Sequence, residues 1–289
     1  MSAQFLAGGP VAEAVLDDVR ARVARLADAG HTVGLGTILV GDDEASAGYV
    51  RKKHEMCEAL GVASHHIAID AGDRPEALFE AVDRFNADPA VDAYLIQYPV
   101  ADGFDFDAAL DRMDPAKDGD GLHPSNLGRL VLQQPGPVPA TPAGIQAMLV
   151  HYGIETSGKN VVVVGRGPTL GRPLALLLAG KGAGADAAVT VVHSRVPDLA
   201  TYTRGADIIV AAVGSPSIIT ADMIEPGAVV VSGGISWEGR RLLPDVDENV
   251  GEVASWITPR LGGVGPTTIA MLLQNTVVAA ETAHAGGAR

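Results

Sequence analysis

Cysteine is nearly missing: Cys57 is the single one in 289 residues. That excludes an internal disulfide framework and any zinc site built from several thiolates, and makes a reducing cytoplasm the expected compartment. Positive charge is also scarce. Lys and Arg number 21 against 35 Asp and Glu, a net charge of -14, so the chain repels nucleic acid and anionic membrane surfaces. No run of eighteen apolar residues is free of charge, and the amino terminus, MSAQFLAGGPVAEAVLDDVR, has no basic region ahead of a short apolar stretch. Neither membrane insertion nor secretion is expected. Fixed-period repeats and low-complexity tracts are absent as well.

What is present is an ordinary folded composition, 47% hydrophobic and 19% charged, over a length suited to two domains. Apolar runs alternate with helical patterns: TVGLGTILV, a helix near 43–60, ASHHIAI, a helix near 74–87, then AYLIQYPV. This is a βαβ rhythm. The Pro- and Gly-rich stretch from Gln133 to Pro142 interrupts it and marks a domain boundary. The rhythm resumes with NVVVVG at 160–165 and continues through AVTVVHS, DIIVAAVG, AVVVSGG and SWITP, short strands read as buried on both faces of a doubly wound parallel sheet. After Gly265, PTTIAMLLQNTVVAAETAHA reads as one long helix opened by Pro and Thr.

The loop Gly165-Arg166-Gly167-Pro168-Thr169-Leu170-Gly171-Arg172-Pro173 directly follows a buried strand and opens a helix. Gly165 and Gly167 let the backbone turn tightly and approach a phosphate, while the helix amino terminus offers free N–H groups and a positive dipole end. Three residues separate Gly167 from Gly171 where the usual dinucleotide fingerprint has two, and a plain glycine turn would use the same letters. An NAD site carries an acid at the end of the second strand; here that strand ends in His193-Ser194-Arg195. Ser194 and Arg195, with Arg166 in the loop, suit a ribose phosphate and hence NADP. The alternative is a solvated loop arginine beside a strand-end histidine.

In the first half, Tyr49 and Lys53 are four residues apart and share a helical face. A partly desolvated lysine there could exchange protons near neutrality, although a surface lysine beside a packed tyrosine gives the same pattern. Gln97 stands at the carboxyl end of an apolar strand, where open α/β sheets place ligands. The following loop, Asp114 to Pro124, holds Asp118 and Asp120 beside Lys117 and His123. Its spacing does not match a calcium loop, and loop acids also serve solubility alone. No metal is expected.

Together, Ser46 to Lys53, Gln97-Tyr98-Pro99, Lys117 to Gly121, Thr141-Pro142, the Gly165–Pro173 loop and Gly262-Gly263-Val264-Gly265-Pro266 resemble, in order and spacing, the bifunctional methylenetetrahydrofolate dehydrogenase/cyclohydrolase family. The resemblance runs nearly end to end. It implies an α/β fold with two domains: an N-terminal α/β substrate domain, residues 1–138 plus 265–289, and a Rossmann-like doubly wound NADP-binding domain, residues 139–264. It implies oxidation of methylenetetrahydrofolate with NADP and hydrolysis of the methenyl product to formyltetrahydrofolate, steps of one-carbon metabolism.

By the same resemblance Lys53 is the central catalytic group, Tyr49 stacks on and positions the folate, and Gln97 tunes the lysine. Asp120, with Gly263 and Pro266, binds the substrate. Gly165, Arg166, Gly167, Thr169, Gly171, Ser194, Arg195 and Ile235 bind NADP, and the protein is a homodimer. The chain departs from the family pattern at Tyr98 (usually Leu), Ala140 (often Cys), Ser232-Gly233-Gly234-Ile235 (usually Asp-Val-Gly-Ile), Leu261 (Pro) and Thr267 (Met or Phe). These departures bear on the fit of folate and nicotinamide rather than on Lys53, Tyr49, Gln97 or Asp120. A non-catalytic NADP-binding regulator and a two-domain amino-acid dehydrogenase are the other readings. Of the three, only the folate enzyme makes NADPH and then hydrolyses a methenyl product.

Overall fold

The structure is a computed structural model and describes residues 3–239 and 241–287. Along the chain run β1 (Gln4–Phe5), α1 (Gly8–Asp28), β2 (Gly34–Val40), α2 (Glu44–Leu60), β3 (Ala63–Ile69), α3 (Glu76–Ala87), β4 (Ala93–Ile96), α4 (Phe106–Arg112) and α5 (Pro124–Val131). Then follow α6 (Ala140–His151), β5 (Asn160–Val164), α7 (Gly171–Ala179), β6 (Ala188–Val192), α8 (Ala200–Thr203), β7 (Ile208–Ala211) and β8 (Val229–Ser232). The hairpin β9 (Ile235–Glu238) and β10 (Arg241–Pro244), β11 (Trp256–Ile257) and α9 (Val264–Gly287) complete the order.

The chain divides into two units. One, the glycine-loop unit, takes the chain up to Glu13, Leu130–Gln133 and Thr141–Thr268. The other, the lysine unit, takes Ala14–Arg129, Gln134–Ala140 and the chain from Ile269 onward. This division differs from the expected one mainly at the start of the chain. There β1 pairs in parallel with β11 and so joins the glycine-loop unit's sheet.

That sheet has six parallel strands in the order β1-β11-β8-β7-β5-β6. Period-two alternation explains why four consecutive valines suit β5: Val161 and Val163 pack with Ile145, Leu149, Leu174 and Leu178 on one face. Val162 and Val164 pack with Ile209, Ile219 and Val230 on the other. The reading of every strand as buried on both faces fails at β6. It is an edge strand whose other side has no partner in the sheet, and Val191 is 40% exposed; apolar letters alone do not separate an edge strand from a central one.

The lysine unit is built on a three-stranded parallel sheet, β3-β2-β4, with the fully buried β2 in the middle. Ile38, Val40, Tyr94 and Ile96 pack against Leu78, Val82 and Phe85 of α3. Helix α2 starts where Asp43 caps it, its carboxylate accepting from the Ser46 N–H at 2.7 Å. Helix α9 is tied in by Asn275, whose Nδ2 donates to the carbonyls of Gly119 and Val138 at 2.9 Å each. Arg22 of α1 grips Glu281 of α9 with two hydrogen bonds, 3.0 and 2.6 Å.

Candidate active site

Lys53 lies in α2, which packs on β2 and β3, and its side chain is only 6% exposed. Surface placement is thereby excluded. Its Nζ donates to Gln97 Oε1 at 2.9 Å, and the Gln97 Nε2 donates to the Tyr98 carbonyl, also at 2.9 Å. The second bond fixes which end of the amide faces the lysine. Gln97 is the first residue after β4, so the strand end sets the distance. Burial pushes the Lys53 ammonium below the ordinary lysine range, while the negative charge of Asp120 pulls the other way. The Asp120 carboxyl is raised by burial and lowered by the Lys53 charge. Tyr49, one turn before Lys53, is half-buried, and burial raises its phenol.

The loop that carries Asp120 is braced from within. Asp118 is buried, and its carboxylate accepts from Gly121 N (2.9 Å), His123 N (2.8 Å) and Asn126 Nδ2 (2.9 Å). The Gly119 N–H donates to the Tyr94 carbonyl, 3.0 Å away, which hangs the loop on β4. Lys117 is not part of this site: its Nζ donates to the Phe85 and Asp88 carbonyls and closes the end of α3. Among the described residues no group of three or more His, Cys, Asp or Glu could hold a metal ion.

In the glycine-loop unit, Gly165 ends β5 with φ 120°, and a Cβ there would run into the Ala212 carbonyl oxygen. A Cβ at Gly167 would meet nothing, so the loop presents bare backbone ahead of the nine-residue α7, whose N-terminus is free to meet a phosphate. Arg166, Ser194 and Arg195 are exposed, the last two just beyond β6. Backbone-only approach beside the exposed Arg166 and Arg195 fits a phosphorylated dinucleotide. Thr169 and Gly171 sit in the loop and at the helix start, and Ile235 opens β9. Gly263 and Pro266 fall in this unit, whereas Lys53, Tyr49, Gln97 and Asp120 share the lysine unit.

Of the departures, Tyr98 is 55% exposed and stacks edge-on against Phe106, and Leu261 is exposed. Ala140 and Thr267 are buried, with the Thr267 hydroxyl donating to the Val264 carbonyl at 2.7 Å. One residue has no place in the motifs at all. Asp245, just after β10, is buried and accepts from the N–H groups of Val213, Gly214 and Ser215. Its only sequence signal is an acid following an apolar Leu-Leu-Pro run, too common to read.

A strand, glycine loop and helix at the switch point of a parallel sheet, with a buried lysine held by an amide in a separate α/β unit, define a nucleotide-dependent two-unit dehydrogenase. Residues 6–120 match the tetrahydrofolate dehydrogenase/cyclohydrolase catalytic domain, and residues 139–284 match the NAD(P)-binding domain of the same family. Over 281 residues the chain is 67% identical to the bifunctional protein FolD of Syntrophotalea carbinolica, covering 97% of each chain. It is 53% identical to bifunctional protein FolD 1 of Salinispora tropica over 96% of this chain and 91% of that one. It also superposes with a TM-score of 0.92 on the Trypanosoma brucei methylenetetrahydrofolate dehydrogenase-cyclohydrolase complexed with NADP and an inhibitor, at 36% identity over 98% and 99% of the two chains. The chain belongs to the tetrahydrofolate dehydrogenase/cyclohydrolase family.

Proposed function

We propose that Lys53, Gln97, Tyr49 and Asp120 form the reacting site of this NADP-dependent enzyme. The protein oxidises methylenetetrahydrofolate to methenyltetrahydrofolate and hydrolyses that product to formyltetrahydrofolate. The observation that carries the residue assignment is the buried Lys53 Nζ held 2.9 Å from Gln97 Oε1, with the Asp120 charge close enough to act on it. In hydrolysis, water adds to the cationic methenyl carbon and must release a proton. A neutral lysine accepts it, and burial favours the neutral form. The cationic substrate would favour it further. The tetrahedral carbon then expels one folate nitrogen, which takes the proton back from the lysine, and becomes the formyl group. Gln97 steers the amine without adding charge, and Tyr49 offers a ring face to the folate. Asp120 accepts from the N–H edge of the pterin, a charge-assisted bond that holds the substrate, with Gly263 and Pro266 as further substrate contacts.

When bound, NADP supplies the hydride acceptor for the oxidation. The residues that would hold it are Gly165, Arg166, Gly167, Thr169 and Gly171 around the phosphates, Ser194 and Arg195 at the ribose phosphate, and Ile235. The domain assignment proposed with this reading is folate binding by residues 1–138 plus 265–289 and NADP binding by residues 139–264. A homodimer belongs to the same reading, supported by the open β6 edge, where Val191 and, on α7 packed against it, Leu176 are each 40% exposed. A reducing cytoplasm agrees with a lone buried Cys57 whose thiol burial pushes up to about 11. No described helix is long and apolar enough to cross a membrane.

Substituting Lys53 tests the assignment. General acid–base help is typically worth roughly 10²–10⁴ in rate, so Lys53→Met should lose cyclohydrolase activity by that factor and dehydrogenase activity by less, since hydride transfer needs positioning only. A variant that hydrolyses methenyltetrahydrofolate at the parent rate above the spontaneous background refutes the role given to Lys53.

A further inference from the structure

The six-stranded sheet has its switch point at β5 and β7: the chain leaves β5 for β6 on one side and returns to β7 on the other. Open parallel sheets bind their ligands in the crevice at such a point, beyond the carboxyl ends of the strands. Two loops flank it. The first is the glycine loop after β5. The second, Val213-Gly214-Ser215, lies just beyond β7 and abuts the first, because a Cβ at Gly165 would meet both the Ala212 carbonyl and the Val213 side chain.

That second loop is held by one side chain from outside the sheet. The Asp245 carboxylate accepts from Val213 N at 2.8 Å, Gly214 N at 3.1 Å and Ser215 N at 2.8 Å, and the residue is 0% exposed. Three successive amides converging on one anion form a nest, the backbone arrangement that elsewhere takes phosphate. Here the chain fills the nest itself. Gly234 makes room, since a Cβ there would run into Asp245 Oδ2. Ser232 completes the mount: its hydroxyl accepts from the Asp245 N–H at 3.0 Å and donates to the Gly234 carbonyl at 3.3 Å. Burial pushes the Asp245 carboxyl up and the three amides pull it down. A buried carboxylate balanced by amide dipoles is a costly way to close a surface turn, so its use here points to a loop whose shape matters.

We propose that Asp245 is a positioning residue for the oxidation. It fixes the Val213–Ser215 backbone in the shape that seats the nicotinamide half of NADP, and it takes no part in hydrolysis. The inference rests on the crevice being the NADP site. If Arg195 beyond β6 holds the 2'-phosphate and the glycine loop the pyrophosphate, the loop beyond β7, on the other side of β5 from β6, would meet the remaining half.

The test uses the full chain with Asp245→Asn and Asp245→Ala. In the cofactor-free protein, amide hydrogen exchange over 212–216 should rise about tenfold or more in both variants while β5 stays protected, as expected when charge-assisted bonds are lost. The NADP dissociation constant, read by fluorescence titration, and dehydrogenase kcat/KM should worsen by about 10–100-fold. Hydrolysis of methenyltetrahydrofolate without NADP should stay within about twofold. Formate, a carboxylate small enough for the space left in Asp245→Ala, should restore part of the loop protection and of the NADP affinity, and chloride should not. Unchanged exchange and affinity would overturn the proposal, as would a parallel fall in both activities with no effect of formate. If Asp245→Ala does not fold, Asp245→Asn, which keeps the volume, decides by the same measurements. Failure of the parent protein itself to bind NADP would instead reject the crevice assignment before any variant is read.

Discussion

Lys53 and Asp120 influence each other with opposite sign, and the pH dependence of hydrolysis follows from that. Burial lowers the lysine and the aspartate charge raises it, so the neutral, proton-accepting amine grows as pH climbs through a value below the ordinary lysine range. The hydrolytic rate should therefore rise with pH along that limb. Asp120→Asn deletes the opposing charge, and the limb should move to lower pH while folate KM rises and NADP affinity holds; a limb that stays in place, or NADP affinity falling in step with folate, contradicts the arrangement. Cofactor choice is argued at the same scale. Losing one charge-assisted contact costs about 1.5–3 kcal/mol, or roughly 10–100-fold in affinity. Arg195→Ala should weaken NADP by that factor relative to NAD in side-by-side titrations, and unchanged discrimination would remove Arg195 from the site.

At the level of elements, the loop between α4 and α5 behaves as a rigid mount rather than a linker. Asp118→Ala would strand the N–H groups of Gly121 and His123, while Asn126 Nδ2 would keep its bond to the Pro115 carbonyl, at about 1–3 kcal/mol for each donor left buried and unpaired. The expected result is a lowered Tm together with a raised folate KM; a variant with unchanged Tm would show the brace to be dispensable. Element structure also explains what the letters could and could not reveal. The runs that became β2, β5, β7 and β8 were readable because every residue in them but Asn160 is buried, so composition and position agree. The placement of Lys53 and Tyr49 on one helix face and of Gln97 at a strand end was readable because these are local properties. Asp118 looked like one acid among several because its partners are backbone amides, which leave no mark in the sequence. Asp245 escaped notice for the same reason: its three donors lie some thirty residues upstream. The exposed β6 was misread because valine is equally at home in a central strand and at an edge.

Across the whole molecule, a charge of -14 keeps copies apart unless an apolar face brings them together. The open edge at β6 is the face expected to do so. Sedimentation velocity should find a particle of two chains, and Val191→Lys should shift it to one chain with Tm altered only by the lost association; a parent chain that sediments alone, or a lysine variant that still pairs, argues against this edge. The division of the chain has a consequence of another kind. The lysine unit begins at Ala14 yet draws on α9, where Asn275 ties down the Gly119 and Val138 carbonyls. On a ribosome, the segment that is made first therefore waits for α9 before its fold is complete. The glycine-loop unit can complete its sheet once β11 has emerged, ahead of its neighbour in the sequence. A stop ahead of α9 would spare Lys53, Tyr49, Gln97 and Asp120 and still leave them in an unfinished fold, because the ties that Asn275 and Glu281 make would be missing.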